Sequence, residues 1–173
     1  MPRLQPEEIL RILERHRVRY VVIGGVGATL HGSPLPTHDT DVCPARDSAN
    51  LDALAAALRD LGARIRAPGV ADGLPFACDA AFLRQTNLLN LTTSFGDLDL
   101  SFEPSGTQGY EDLVRRAVPC DLGGGLVVSL ASLEDIIRSK EAANREKEQD
   151  DIAHAPAAPS EEAGAGKGTR VTR

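Results

Sequence analysis

Tyr20-Val21-Val22-Ile23-Gly24-Gly25, followed after thirteen residues by Asp39-Thr40-Asp41-Val42, is the stretch on which the reading of this chain turns. Tyr20 to Ile23 is a short, largely β-branched run and reads as a buried strand. Gly24-Gly25 stops it, and residues 26–31 have room for a short helix before Gly32. The glycine pair therefore sits on a strand-to-helix turn, with backbone N–H groups free to hold phosphate oxygens. Pro34, Pro36 and Thr37 make an irregular link into a second strand over residues 38–43. On that strand Asp39 and Asp41 stand at i and i+2, so both project from one face, about 7 Å apart along the backbone.

Two carboxylates placed in this way repel each other unless something positive lies between them. Oxygen-only ligands suit magnesium (or manganese) that also binds substrate phosphates. Taken alone, the acids have a plainer explanation as turn caps or solvated surface, and the glycine pair as a tight turn. Their pairing is what sets a phosphate site beside a cation site. A third acid is available in Gly96-Asp97-Leu98-Asp99-Leu100-Ser101-Phe102, where Leu98, Leu100 and Phe102 alternate with Asp97, Asp99 and Ser101. If this strand lies beside the first acid strand, Asp99 completes the metal site or accepts a proton from an attacking hydroxyl. The competing reading is an edge strand protected by charge.

Outward from this centre, residues 6–16 place a proline and two acids at a helix start ahead of Ile9, Leu10, Ile12 and Leu13 on one face. Residues 50–61 read as an Ala/Leu helix capped by Asp47 or Ser48, and residues 63–66 as a strand. Residues 67–79 read as a loop, and 83–93 and 97–102 as two extended segments of a hairpin around Ser94-Phe95-Gly96. A helix over 110–116, a strand over 126–130 after three glycines, and a final helix from 133 to about 147 complete the series. This mixture predicts an α/β (α+β) domain, a mixed β-sheet flanked by helices, over residues 1–148. Residues 149–173 turn to Ala, Pro, Gly, Glu and Ser and predict a disordered low-complexity tail.

With 42% apolar residues the chain can build a continuous core, but 3% aromatic and no Trp leave few platforms for stacked bases. The net charge of −6 is the wrong sign for a protein that lives on a phosphate backbone. Three cysteines with no metal-ligand spacing frame neither a disulfide scaffold nor a zinc site and fit a reducing compartment. No secretory h-region opens the sequence and no run of apolar residues is long enough to span a bilayer, so a cytoplasmic protein without membrane contact is expected.

Together, Ile23-Gly24-Gly25, the spacer, Asp39-Thr40-Asp41-Val42 and the Leu98-Asp99-Leu100 strand resemble the polymerase-β-like nucleotidyltransferase superfamily over roughly residues 8–148. Within it the chain is most similar to small bacterial proteins related to the AbiE/MenT-type toxins and to the minimal nucleotidyltransferases. The resemblance implies two metal ions held by Asp39, Asp41 and Asp99. It also implies in-line attack of an acceptor on the α-phosphate of a nucleoside triphosphate, with release of pyrophosphate. The acceptor is open among RNA, a protein side chain and a small alcohol, and an antitoxin-like protein partner would accompany a toxin role. Two departures stand out: Thr40 replaces the usual hydrophobic residue between the acids, and Leu35-Pro36 occupy positions where relatives often carry an arginine.

The resemblance also places a lysine of the last helix near the triphosphate. Lys140 is the first choice and Lys147 the second, near one helical face with Asn144. Both have a competing explanation as solvated charges. Arg84 and Ser33 are weaker candidates for phosphate contact, Ser33 because serine before proline usually makes a turn. His31 and His38 flank the site without ligand spacing. A dinucleotide-binding turn at Gly25-Val26-Gly27 fails at Leu30, where the third glycine belongs. A catalytically silent module of the same fold, binding nucleotide or a partner, is the alternative that the residues leave open.

Overall fold

The computed structural model describes the backbone of residues 3–153 and the side chains as far as Glu146. In chain order the elements are α1 (Pro6–Arg15), β1 (Tyr20–Ile23), α2 (Gly24–Leu30), β2 (Asp39–Pro44), α3 (Ser48–Asp60), β3 (Arg64–Ala67) and β4 (Val70–Leu74). They continue with α4 (Ala80–Arg84), β5 (Leu88–Thr93), β6 (Gly96–Ser101), α5 (Tyr110–Val114), β7 (Val118–Asp121), β8 (Val127–Leu130) and α6 (Leu133–Ala153). The strands form one eight-stranded mixed sheet in the order β4-β3-β5-β6-β2-β1-β8-β7. β1 runs antiparallel to β2 and parallel to β8, while β2 runs parallel to β6.

The two faces of this sheet are covered unequally, and the alternation of each strand says why. On one face Tyr20 and Val22 of β1, Val42 of β2 and Leu98 and Leu100 of β6 join the main core with Leu10 and Leu13 of α1 and Leu51, Leu54 and Leu58 of α3. On the other face Val21 and Cys43 belong to a small cluster with Leu113 of α5 and Ile136 of α6. A period-two strand that sends apolar residues into the larger core must send its intervening residues to the thinner side. Asp39, Asp41, Asp97 and Asp99 are those residues.

Local chemistry accounts for the flanking elements. Pro6 begins α1 in its first turn with Glu7 and Glu8 beside it, where missing N–H bonds and acidic charge are tolerated or favourable. The Asp47 carboxylate caps α3 by accepting the Asn50 N–H at 3.2 Å. Buried Asn50 in turn takes the Arg19 N–H at 2.7 Å and donates to the carbonyls of Arg19 and Ala45, tying the entry of β1 to the exit of β2.

Several sequence expectations are corrected. The helix after β1 starts at Gly24, so the glycines are its first turn rather than a turn before it. Residues 67–79 are not all loop: Pro68-Gly69 makes a two-residue connection, with Gly69 at φ +76°, and Val70–Leu74 pairs back on β3 as β4. Residues 80–84 are helical, so the extended segment expected from residue 83 starts later, because Asp79 accepts the Phe82 N–H at 2.8 Å and starts α4. Edge strand β7 was absent from the expectation because Pro119 lies within it, and an edge strand is where a missing N–H is tolerated. α6 continues to Ala153, beyond the helix end expected near residue 147, and residues 154–173 of the expected tail lie outside the described residues.

Candidate active site

The parallel pairing of β2 with β6 sets Asp39 opposite Asp97 and Asp41 opposite Asp99. Asp39, Asp41 and Asp99 each present a carboxylate oxygen within 4.8 Å of the other two. The strand that carries Asp99 does lie beside the strand of Asp39 and Asp41. Burial raises the Asp41 carboxyl to about 7, the neighbouring Asp39 charge adds to this, and the Gly25 N–H partly offsets it. Burial likewise raises Asp99 to about 6, with the Arg66 guanidinium pulling it down and Asp39 and Asp97 pushing it up. Three hard oxygen donors held together against their own repulsion fit a divalent cation such as magnesium.

The glycine turn touches this cluster directly. The Gly25 N–H donates to Asp41 Oδ2 at 3.3 Å. Gly24 adopts φ +60°, and a β-carbon there would come within 2.2 Å of the same oxygen, so position 24 excludes every side chain on two counts. A β-carbon on Gly25 would meet Thr37 Oγ1 at 2.6 Å. Thr37 in turn donates from Oγ1 to the Asp39 carbonyl at 3.0 Å, which holds the start of β2 under the turn. Thr40, between the two acids, points the other way: it is fully buried and its hydroxyl has no partner among the described residues.

Arg66 was not singled out from the sequence. From β3 it reaches Asp97 Oδ2 at 2.6 Å and both oxygens of Asp99 at 2.7 and 3.0 Å. The alternation Arg64-Ile65-Arg66 does place Arg66 on a polar face. What the sequence lacked was the knowledge that β3 lies one strand removed from β6.

The remaining candidates divide. Lys140 lines one cavity with Gly24 and Gly25, whereas the side chain of Lys147 lies outside the described residues. Ser33 Oγ accepts the Leu35 N–H at 3.4 Å, a turn contact, and Ser33 does not line that cavity. Arg84 is not brought to the acids: its guanidinium donates to Ser48 Oγ at 2.9 Å, at the start of α3. His31 donates from Nε2 to the Ala131 carbonyl at 2.8 Å, and His38 is exposed. Among the described residues no helix is long and apolar enough to cross a membrane.

No family model matches this chain, and no curated protein matches it in sequence. Its structure is similar to the crystal structure of a candidate nucleotidyltransferase from Thermotoga maritima, with a TM-score of 0.54 and 16% identity. The likeness covers 88% of this chain and 94% of that one. At this identity what is shared is the architecture, and the chain has the mixed α/β fold of that protein.

Proposed function

We propose that this chain is a metal-dependent nucleotidyltransferase that moves a nucleoside monophosphate from a nucleoside triphosphate to an acceptor hydroxyl. The observation that carries the reading is the convergence of Asp39, Asp41 and Asp99 within 4.8 Å, with the Gly24-Gly25 turn against Asp41. Magnesium, with manganese as a substitute, would be held by these three carboxylates and would neutralise the charge of the triphosphate. Gly24 and Gly25 leave the backbone open to phosphate oxygens, and Lys140, with Lys147 behind it on the same helix, supplies positive charge to the β- and γ-phosphates. Asp99 takes the proton of the acceptor hydroxyl as its oxygen bonds to the α-phosphorus and the bond to the leaving pyrophosphate breaks. This chemistry asks for positioning and charge neutralisation, and no covalent intermediate on the protein is needed.

The finer reading follows the resemblance of the motif. The catalytic unit is residues 1–148, the tail 149–173 is an appendage, and the protein works in the cytoplasm. The acceptor is RNA, a protein side chain or a small alcohol, and the chain acts as the AbiE/MenT-type toxin of a pair with an antitoxin-like partner. Incubation with each labelled triphosphate, magnesium and a cell extract should label an acceptor, and Asp41→Asn should abolish the labelling. Failure of every triphosphate to bind, with magnesium or manganese, would sink the proposal. A silent binding module is the second reading, and it draws on Arg66, which occupies the third acid with two hydrogen bonds. Pyrophosphate release that depends on Asp39 decides against it.

A further inference from the structure

Asp99 has different neighbours on its two sides. Toward β2 lie Asp41 and the glycine turn, and away from them lie Asn90, its register partner on β5, and Arg66 from β3. Register partners on adjacent strands project from one face, so Asn90 stands on the face of the acids, where it is exposed. Arg66 and Asn90 line a groove of about 630 Å³ beside the β3–β4 connection, with Ala67, Ala71 and the Pro68-Gly69 turn among its other walls.

The direction of the reaction gives this groove a use. Pyrophosphate held by Gly24, Gly25 and Lys140 leaves on the β1 side of the acids. An in-line displacement brings the attacking oxygen from the opposite side, which is the β5 side of Asp99. Arg66 closes that approach: its Nη2 lies 2.7 and 3.0 Å from the two oxygens of Asp99, while its Nη1 is held by Asp97 at 2.6 Å. A cation that takes Asp99 displaces Nη2 and leaves Nη1 anchored, so one edge of the guanidinium is freed toward the groove.

We propose that this groove is the acceptor site and that the acceptor is a small alcohol with an anionic group, phosphate or carboxylate, beside its reacting hydroxyl. The proposal rests on the nucleotidyltransferase reading and narrows its acceptor class. Arg66 Nη2 pairs with the anion, and the Asn90 amide hydrogen-bonds the part of the molecule that carries the hydroxyl. The hydroxyl oxygen forms its bond to the α-phosphorus, the bond to pyrophosphate breaks, and the proton passes to Asp99. The groove lies within the roughly 300–1,000 Å³ of small-ligand sites. Among the described residues no aromatic ring lines it for a base to stack on, and the net charge of −6 disfavours an RNA backbone. A serine, threonine or tyrosine side chain carries no anion of its own for Arg66.

The acceptor class is read by incubating the full chain in saturating magnesium with each triphosphate labelled at the α-phosphate. The small-molecule filtrate, the RNA and the protein of a cell extract are supplied in turn. Label should pass to the filtrate, and the product should migrate on electrophoresis with more negative charge than the diester of a neutral alcohol such as glycerol. Phosphatase treatment of the filtrate beforehand abolishes the labelling if the anion is a phosphate monoester and spares it if the anion is a carboxylate. Arg66→Gln should raise the filtrate concentration needed for half-maximal rate by about tenfold or more, with the KM for the triphosphate within about twofold of the wild type. Arg66→Lys should recover part of the loss. Asn90→Ala, at an exposed position, should also weaken acceptor use with an unchanged melting temperature, and it serves where Arg66→Gln folds poorly. Acceptor use unchanged in both variants, or weakened equally with triphosphate use, overturns the proposal and leaves the nucleotidyltransferase reading standing. So does label confined to RNA or protein, or a product with the charge of a neutral ester. No label in any fraction overturns both.

Discussion

Asp41 of β2 and Asp99 of β6 are register partners on adjacent parallel strands, and that pairing turns a two-acid strand end into a three-acid cluster. Both carboxyls titrate above the ordinary carboxylate range, Asp41 at about 7 and Asp99 at about 6, chiefly because the fold buries them. Without metal, the folded protein therefore holds protons on these groups that the unfolded chain has already lost. The associated stability is complete below the unfolded value near 4 and is lost as pH rises through about 6 to 7. In EDTA the melting temperature should fall between about pH 5 and pH 8, and magnesium or manganese should oppose the fall. Asp41→Asn should flatten the profile; thermal scans at fixed ionic strength that show the same slope in the variant would count against this assignment.

Gly24 and Gly25 are not equivalent. Gly24→Ala places a β-carbon in a left-handed conformation and 2.2 Å from Asp41 Oδ2, so it should cost more than about 2 kcal/mol and abolish nucleotide binding. Gly25→Ala keeps an ordinary backbone conformation but meets Thr37 Oγ1 at 2.6 Å and Cβ at 3.0 Å, so Thr37 must shift, and it should cost less than Gly24→Ala, about 1–2 kcal/mol. Urea unfolding of the two variants checks the order, and equal losses would refute it.

Thr40→Val should stabilise the protein by about 1 kcal/mol. The hydroxyl of Thr40 is buried without a partner among the described residues, and replacing it with a methyl group of similar shape removes a desolvated polar atom from the interior. The acids on either side face away from it, so manganese affinity should stay as in the wild type. A loss of stability would show that the hydroxyl is satisfied in solution.

Arg66 competes with a cation for Asp99, because the same two oxygens cannot serve both fully. Arg66→Gln should tighten manganese binding, read by the paramagnetic signal of free Mn²⁺, by about tenfold, since a full positive charge leaves the neighbourhood of the site. The same variant should be less stable than the wild type in EDTA at neutral pH, where Asp97 and Asp99 lose their countercharge. Unchanged metal affinity would mean that Arg66 belongs to the scaffold alone.

Lys140 is exposed and lines the cavity beside the glycine turn, so Lys140→Ala should leave the melting temperature unchanged. Its effect should fall on triphosphate binding, which weakens by about tenfold and becomes less sensitive to salt. A variant that binds triphosphate as the wild type does would return Lys140 to the solvated surface.

How much of this was legible in the sequence follows from the range of the interactions involved. Amphipathic spacing in Ile9, Leu10, Ile12 and Leu13, the cap at Asp47, and the alternation of Leu98 and Leu100 with Asp97 and Asp99 are local patterns, and the elements they announce are present. The same is true of Gly24-Gly25 and the acid pair, since i and i+2 share a face in any strand. Where local signals competed, the reading failed: Pro119 concealed an edge strand, and the apolar run at Ala80–Arg84 concealed a capped helical turn.

By itself, then, the sequence determined which residues share a face and where a backbone without a β-carbon was required, because backbone geometry sets both over a few residues. Strand order is set by burial and hydrogen bonding summed over the whole chain, so only the tertiary structure decided that β6 lies next to β2 and that Arg66 reaches Asp99 from β3. The same holds for Asp135, which sequence spacing could not distinguish from the other acids of α6. Its burial, with Arg116 and Arg138 on the same carboxylate, exists only once α6 has packed against the sheet.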